Sequence, residues 1–254
     1  MGAVLDLPEY VNEHLARSPL VLAAAQINFE EVGREVTHGQ ARAMQKLVGD
    51  TWTQLMAAPL ISTTLTNTGA VNGPARQAYR LATPDGTWSA LINPDSVTVE
   101  TRAYPGWNVM RATVVAFAEA VAEVYDPSSE LRLGLRYVDQ VPLPDGHDDW
   151  TGLIPGPILG IANDPRLGSG VLASDQRVLL QVAPDARCVM RHGLLADDAG
   201  TFGRLYLLDY DIFRENAGSY SAASVAAGVD ALHLLVGALF NASITPELYQ
   251  LLKG

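Results

Sequence analysis

The clearest pattern in the chain is a set of three short runs, between residues 78 and 103, in which apolar and polar side chains alternate. The segments "TPDG" and "NPDS" separate these runs, and their Pro, Gly, Asn and Asp residues are typical of tight turns. Alternation with a period of two predicts antiparallel strands, here at about 78–83, 87–93 and 96–103. We expect one face of this sheet, with Val97 and Val99, to be packed and the other to be solvated.

Apolar residues with the three- and four-residue spacing of an amphipathic helix follow these strands and recur near the end of the chain. The two stripes are Met110, Val114, Phe117, Val121 and Val124, and Val225, Val229, Leu232, Val236 and Leu239. They predict helices over 107–125 and 222–241. A third helical face predicts a helix over 38–57 that ends before Pro59, and "TPELYQLLK" predicts a short last helix capped by Thr245.

The order of the predicted elements repeats along the chain. Residues 19–126 give a strand, a helix, four strands beginning with "LISTTLTNT", and a helix. Residues 130–241 give a strand, an irregular connection, three long strands and a helix. The repeat concerns element order and not sequence identity. We therefore predict an α+β protein of two similar halves, 1–127 and 128–254, whose antiparallel sheets carry helices on one face, as in TATA-box-binding-protein-like and helix-grip folds.

Charge and composition exclude several classes of protein. The formal net charge is -11 and the isoelectric point is near 4.8, so the long-range field argues against binding to nucleic acid and to anionic membranes. No apolar run reaches the roughly 20 residues of a membrane span, and we read "ARSPLVLAAAQ" as a strand and not as a secretion signal, which predicts a cytoplasmic protein. A single cysteine, Cys188, excludes an intramolecular disulfide.

Four segments together resemble a known protein family. They are "SPLVLAAAQINF", "YRLATPDGTWSALINPDSVTVETRAYPGW", "LRLGLRYVDQV" and "LHLLVGALFNASITPELYQLL", and they resemble an uncharacterised prokaryotic family of about 250 residues that is scattered sporadically among bacteria. The resemblance brings no activity, substrate or catalytic residue. Its patchy distribution implies horizontal transfer, and hence a role in mobile elements or in defence against phage.

Three carboxylates on predicted strands are candidates for chemistry. Asp209 and Asp211 are two residues apart in "YLLDYDIF" and so point to the same side, and Asp139 occupies a comparable place in "RYVDQV". Converging carboxylates bind divalent cations or transfer protons, which would give a metal-dependent hydrolase. A solvated sheet face has the same pattern, and no histidine motif completes a ligand set, so we predict neither a metal nor a cofactor. His233, on the last long helix, is either a buried base or a hydrogen-bonded residue of the core.

Arginines on the predicted sheet are candidates for contact with a ligand or partner. Arg132 and Arg136 share a face with Gly134 between them, which leaves room for a carboxylate or phosphate. Arg80 and Arg102 lie in the strands described first. The alternative is that these side chains pair with acids on neighbouring strands.

These observations favour a non-enzymatic binding or accessory protein that acts through protein-protein contacts, with another protein, with a second copy of itself, or with both. Two alternatives remain open. A small ligand could bind between sheet and helices, as in helix-grip proteins, or the three carboxylates could form the metal site of a hydrolase, in which case they must converge on one point.

Overall fold

A computed structural model describes residues 5–10, 13, 15–33, 35–59, 63–66, 69–72, 76–197 and 199–254. The strands are β1 (Leu20–Phe29), β2 (Gln54–Ala57), β3 (Thr63–Thr66), β4 (Gly69–Asn72), β5 (Tyr79–Ala82), β6 (Trp88–Ile92), β7 (Ser96–Thr101), β8 (Ser129–Pro142), β9 (Gln176–Ala183), β10 (Ala186–Leu195) and β11 (Leu205–Ser219). The helices are α1 (His38–Leu47), α2 (Trp107–Tyr125), α3 (Gly156–Leu159), α4 (Ala222–Ser243) and α5 (Pro246–Lys253).

Nine strands hydrogen-bond into one sheet in the order β2-β5-β6-β7-β1-β8-β11-β10-β9, and β3 pairs with β4 apart from it. The pairings of β2 with β5, β5 with β6, β6 with β7, β9 with β10 and β10 with β11 are antiparallel. The chain is therefore an α+β protein with an antiparallel sheet, as its alternating patterns predict.

The three strands predicted from the alternating runs, and the helix after them, are confirmed as β5, β6, β7 and α2. The backbone N–H of Gly86 donates to the carbonyl of Thr83 at 3.0 Å, which closes the turn between β5 and β6. Val97 and Val99 are buried, as the alternation predicts. The helix ends at Tyr125, and the next residue, Asp126, adopts a left-handed conformation (φ 45°) directly before Pro127.

The predicted helix over 38–57 is wrong in its second half. α1 ends at Leu47, and the chain turns at Gly49, whose φ of 106° lies in the region that favours glycine. Trp52 then enters the core, where its ring lies 4.9 Å from that of Phe117, and the amide of Gln45 donates to its carbonyl. The following residues form β2 on the large sheet, whereas "LISTTLTNT", the predicted first strand of the group, contributes β3 to the separate pair.

The last long helix, α4, corrects the expectation that no segment is long and apolar enough to span a membrane. By length and composition α4 meets that criterion, although half of its most apolar window is buried inside the protein. Core helices of water-soluble proteins meet it as well. All five residues of the predicted stripe on α4 are buried.

The chain divides into two units. Unit 1 consists of Met1–Ala23, Gly134–Arg214 and Asp230–Gly254, and unit 2 of Ala24–Leu133 and Glu215–Val229. β1, β8, β11 and α4 each contribute residues to both units. The predicted boundary at 127/128 falls between α2 and β8 and remains a prediction.

Candidate functional site

Unit 1 has a sheet face that carries paired charges. We call it the open face of unit 1 and define it by the side chains of Arg136 on β8, Asp209 and Asp211 on β11, Arg191 on β10 and Arg177 on β9. Arg136 binds Asp209 with two hydrogen bonds, from Nε at 2.8 Å and from Nη2 at 2.7 Å. Asp209 is 8% exposed in its side chain, and this bidentate pair raises the pKa of the Arg136 guanidinium.

A second arginine continues this row of charges. Arg191 lies opposite Asp209 in the β10-β11 register and opposite Arg177 in the β9-β10 register. Its Nε and Nη2 atoms each donate to the carboxylate of Asp175 at 2.7 Å. The open face therefore holds its arginines largely in ion pairs with acids, which is the alternative that the sequence left open for Arg136.

The neighbouring row of the open face consists of Asp211, Val189 and Leu179. Asp211 lies opposite Val189, which in turn lies opposite Leu179 on β9, and directly opposed residues of antiparallel strands share a face. Leu179 is 60% exposed. In this row the open face of unit 1 changes from the charged Asp211 on β11 to the exposed, apolar Leu179 on β9.

Asp139 is placed differently from the other two carboxylates. It shares its side of β8 with Tyr137, two residues earlier, whose hydroxyl contacts α4, whereas Arg136 and Asp209 lie on the opposite side. The predicted convergence of the three carboxylates is therefore not seen. Within the residues that the structure describes, no group of three His, Cys, Asp or Glu side chains could hold a metal ion.

The carboxyl of Asp139 is buried in the core of unit 1. Burial, and secondarily the negative charge of Asp209, raise its pKa from 3.8 to about 8. In turn its charge contributes to the raised pKa values of Tyr10 and Tyr210, which are due first to burial. Tyr210 is fully buried, and within the described chain its hydroxyl has no hydrogen-bond partner, although the Ser243 side chain is near enough to affect its pKa. Asp139 is thus a protonated acid at neutral pH, in a tyrosine-rich environment.

His233, the candidate base on α4, belongs to the same buried region. Its Nδ1 lies 3.1 Å from the hydroxyl of Tyr137, and the ring of Tyr10 meets it edge-on at 5.5 Å. Burial lowers its pKa to about 4. His233 is therefore a neutral, hydrogen-bonded core residue at physiological pH.

Two of the candidate arginines of unit 2, Arg80 and Arg132, have polar side-chain partners. The Nη1 atom of Arg80 donates to the hydroxyl of Ser89 at 2.8 Å and lies 3.5 Å from the carboxylate of Glu100. Arg132 donates to the side-chain oxygen of Gln26 at 3.1 Å. Arg102 is exposed just after β7. Their role in binding a ligand or partner remains a prediction.

The most exposed apolar surface lies in a segment that the sequence did not single out. Twelve large hydrophobic side chains are exposed in the described residues, and five of them fall within residues 161–179. They are Ile161, Leu167, Leu172, Val178 and Leu179. The segment leads into β9, which ends the sheet order. The sequence "QRVLLQVA" does not alternate between apolar and polar residues. Such a run also fits a strand that is buried on both faces, so the sequence alone does not indicate that these side chains are exposed.

Comparison with known proteins adds no function. No protein-family model matches the chain, and no curated protein matches it.

Proposed function

We propose that the protein is a non-enzymatic binding protein that acts through protein-protein contacts, and that the outer edge of unit 1, formed by β9 and residues 161–175, is its contact surface. The observation that carries the proposal is the concentration of exposed large hydrophobic side chains in this segment. Contiguous exposed apolar surface on a folded protein marks interaction sites.

The backbone of β9 supports the same proposal. Among the strands of the described residues, β9 pairs with β10 alone, and it ends the sheet order. The outer side of such a strand presents N–H and C=O groups that can pair with another chain, and proteins usually protect exposed edges with Lys, Pro or short strands. β9 is eight residues long, contains neither Lys nor Pro, and has Arg177 as its single charge. An edge of this kind is suited to strand addition.

The test compares two leucines of similar exposure. Leu179 on β9 is 60% exposed and Leu234 on α4 is 54% exposed. Tagged wild type, Leu179→Lys and Leu234→Lys would be used as baits in a lysate of the source organism, with quantitative mass spectrometry of the retained proteins, including untagged copies of this chain. We expect specific retention by wild type and by Leu234→Lys that Leu179→Lys loses. Identical profiles for the three baits would contradict the proposal.

The proposal includes a duplicated architecture of the TATA-box-binding-protein-like or helix-grip kind. Its support is the strand order: β1-β7-β6-β5-β2 for the first half and β8-β11-β10-β9 for the second. In each half, the first strand along the chain lies next to the last one in the sheet, and the other strands lie beyond the last in reverse chain order. In the chain, a long helix, α2 or α4, follows the last strand of each half. The acidic net charge of -11 argues against use of this architecture for DNA.

The cellular setting that we propose rests on the resemblance described above. It is the cytoplasm of a prokaryote, with a role in mobile elements or in defence against phage.

A second candidate function is the binding of a small ligand in unit 1. One buried polar group favours it: the Tyr210 hydroxyl, which has no hydrogen-bond partner within the described residues although the Ser243 side chain is close. Buried polar groups normally have partners, and a bound ligand would supply one next to the buried carboxyl of Asp139. Native mass spectrometry of wild type and Asp139→Asn, each purified from the source organism, tests it. A small mass retained by wild type and lost from the variant supports this function, and wild type of unmodified mass contradicts it.

A further inference from the structure

The edge strand β9 has a sequence that can pair with itself, and we infer that its partner is β9 of a second copy of this chain. The two strands run antiparallel and join the sheets of two copies. This inference rests on the proposed function, in which the outer edge of unit 1 is the contact surface.

The first argument is the complementarity of β9 to its own reverse. In one register Leu179 faces Leu179 of the second copy, Val178 faces Leu180, and Arg177 faces Gln181. In the next register Leu180 faces itself and Val178 faces Val182. In the first register the three central pairs are therefore apolar, whereas in the second register Leu179 faces Gln181. In neither register does a charged residue of β9 face a like charge, the arrangement that destabilises cross-strand pairs.

Both registers have twofold symmetry, the symmetry of the dimer that is the commonest oligomer of soluble proteins. When one central residue faces its own copy, the two strands are related by a twofold axis perpendicular to the sheet, and each side chain stays on its own face. The contact is isologous and closes as a dimer, because the same edge is used by both copies. Exposed Leu179 side chains of the two open faces become neighbours, which removes the most apolar part of the edge from water.

The second argument is charge. The whole chain has a formal net charge of -11, which opposes the approach of a second copy at long range. Residues 161–189 contain three acids, Asp164, Asp175 and Asp185, and three arginines, Arg166, Arg177 and Arg187, so this segment is formally neutral. The apolar edge is thus a part of the surface at which two copies can meet without local repulsion.

The segment before β9 extends the apolar surface next to the strand. A Cβ atom added at Gly160 would lie 3.2 Å from the side-chain nitrogen of Gln176, the first residue of β9. Ile161, which is 54% exposed, follows directly. Apolar surface therefore borders the start of β9, where the end of the second copy's β9 would lie.

The experiment measures the association of the purified full-length chain by sedimentation equilibrium. We expect wild type and Leu234→Lys to form dimers. In Leu179→Lys the dimer dissociation constant should rise at least about 100-fold, because two leucines are lost from the contact between the two β9 strands and two positive charges are introduced there. Circular dichroism shows that each variant is folded. An exposed edge strand tolerates lysine, so we expect Leu179→Lys to weaken the dimer without unfolding the monomer.

Two cysteine variants test the register. Both variants also carry Cys188→Ser, because Cys188 lies directly opposite Leu180 in the β9-β10 register and could form a disulfide within one chain. Under mild oxidation we expect a disulfide-linked dimer from Leu179→Cys or from Leu180→Cys, according to which residue faces itself. A wild type that sediments as a monomer at every concentration would overturn the inference, as would a dimer that persists in Leu179→Lys and is trapped by neither cysteine.

The failure of this inference can be told apart from the failure of the proposed function. A monomeric wild type, combined with a partner that the Leu179→Lys bait loses, would mean that β9 binds a different protein. A monomeric wild type whose bait profile equals that of Leu179→Lys would contradict both.

Discussion

The buried carboxyl of Asp139 gives the sharpest prediction about stability. Its pKa is 3.8 in the unfolded chain and about 8 in the folded protein. The folded state therefore holds a proton that the unfolded state releases, and the free energy of unfolding falls as the pH rises from about 4 to about 8. Replacement by Asn, which is neutral and nearly isosteric, removes this loss.

The magnitude follows from linkage. Each pH unit between the two pKa values changes the free energy of unfolding by up to about 1.4 kcal/mol. The free energy of unfolding of Asp139→Asn should therefore equal that of wild type near pH 4 and exceed it by on the order of 4 kcal/mol at about pH 7. Above about pH 8 the difference should grow little further. This difference is a large fraction of the total stability of a typical domain, about 5–15 kcal/mol.

Urea unfolding followed by tryptophan fluorescence, repeated across this pH range, measures the difference. The matched control is Asp148→Asn, which changes an exposed carboxyl and should alter the free energy of unfolding by less than about 0.5 kcal/mol. An Asp139→Asn protein that is less stable than wild type at pH 8, or whose advantage does not change with pH, would refute the reasoning.

Three further predictions concern unit 1. Arg136→Ala should lower the free energy of unfolding by about 2 kcal/mol in urea titration, because Asp209 loses a bidentate partner; Arg136→Lys should restore only part of it, and full restoration would contradict the role of the guanidinium. Gly237→Ala should destabilise by about 1–3 kcal/mol in thermal unfolding, because the added Cβ would lie 2.5 Å from the ring of Tyr10, and the usual stabilisation by Ala in a helix would show the ring contact to be absent. In wild type the free energy of unfolding should fall as the pH drops from 6.5 to about 4, because the unfolded chain takes up a proton on His233 before the folded protein does. In urea titrations the free energy of unfolding of His233→Asn should therefore rise relative to wild type by up to about 3 kcal/mol over this range. A constant difference would contradict the lowered pKa of His233.

Local patterns of the sequence were sufficient to predict most elements. α2 begins at Trp107 and ends at Tyr125, as its apolar stripe and Pro127 indicate. The error at 38–57 came from Trp52, Leu55 and Met56, which continue the helical spacing although Gly49 reverses the chain. A single glycine with positive φ outweighed the periodicity, because the turn places Trp52 in the core.

The candidate site was less accessible to sequence reasoning, because it depends on strand order. Asp139 on β8 and Asp209 on β11 look equivalent along the chain, yet they lie on opposite faces of the sheet, which the pairing of Arg136 with Asp209 reveals. The edge position of β9 likewise follows from the sheet order and not from its own sequence. Burial and edge position arise from contacts between distant segments, which hydrophobic periodicity does not encode.

Hydrogen exchange of β9 tests the central claim most directly. Amide exchange of residues 176–183 would be followed by mass spectrometry in dilute and in concentrated protein, for wild type and for Leu179→Lys. The account predicts that exchange in this strand slows with concentration in wild type and not in the variant, while β10, already paired on both sides, stays unchanged. Exchange in β9 that is independent of concentration under conditions where the protein is dimeric would contradict it.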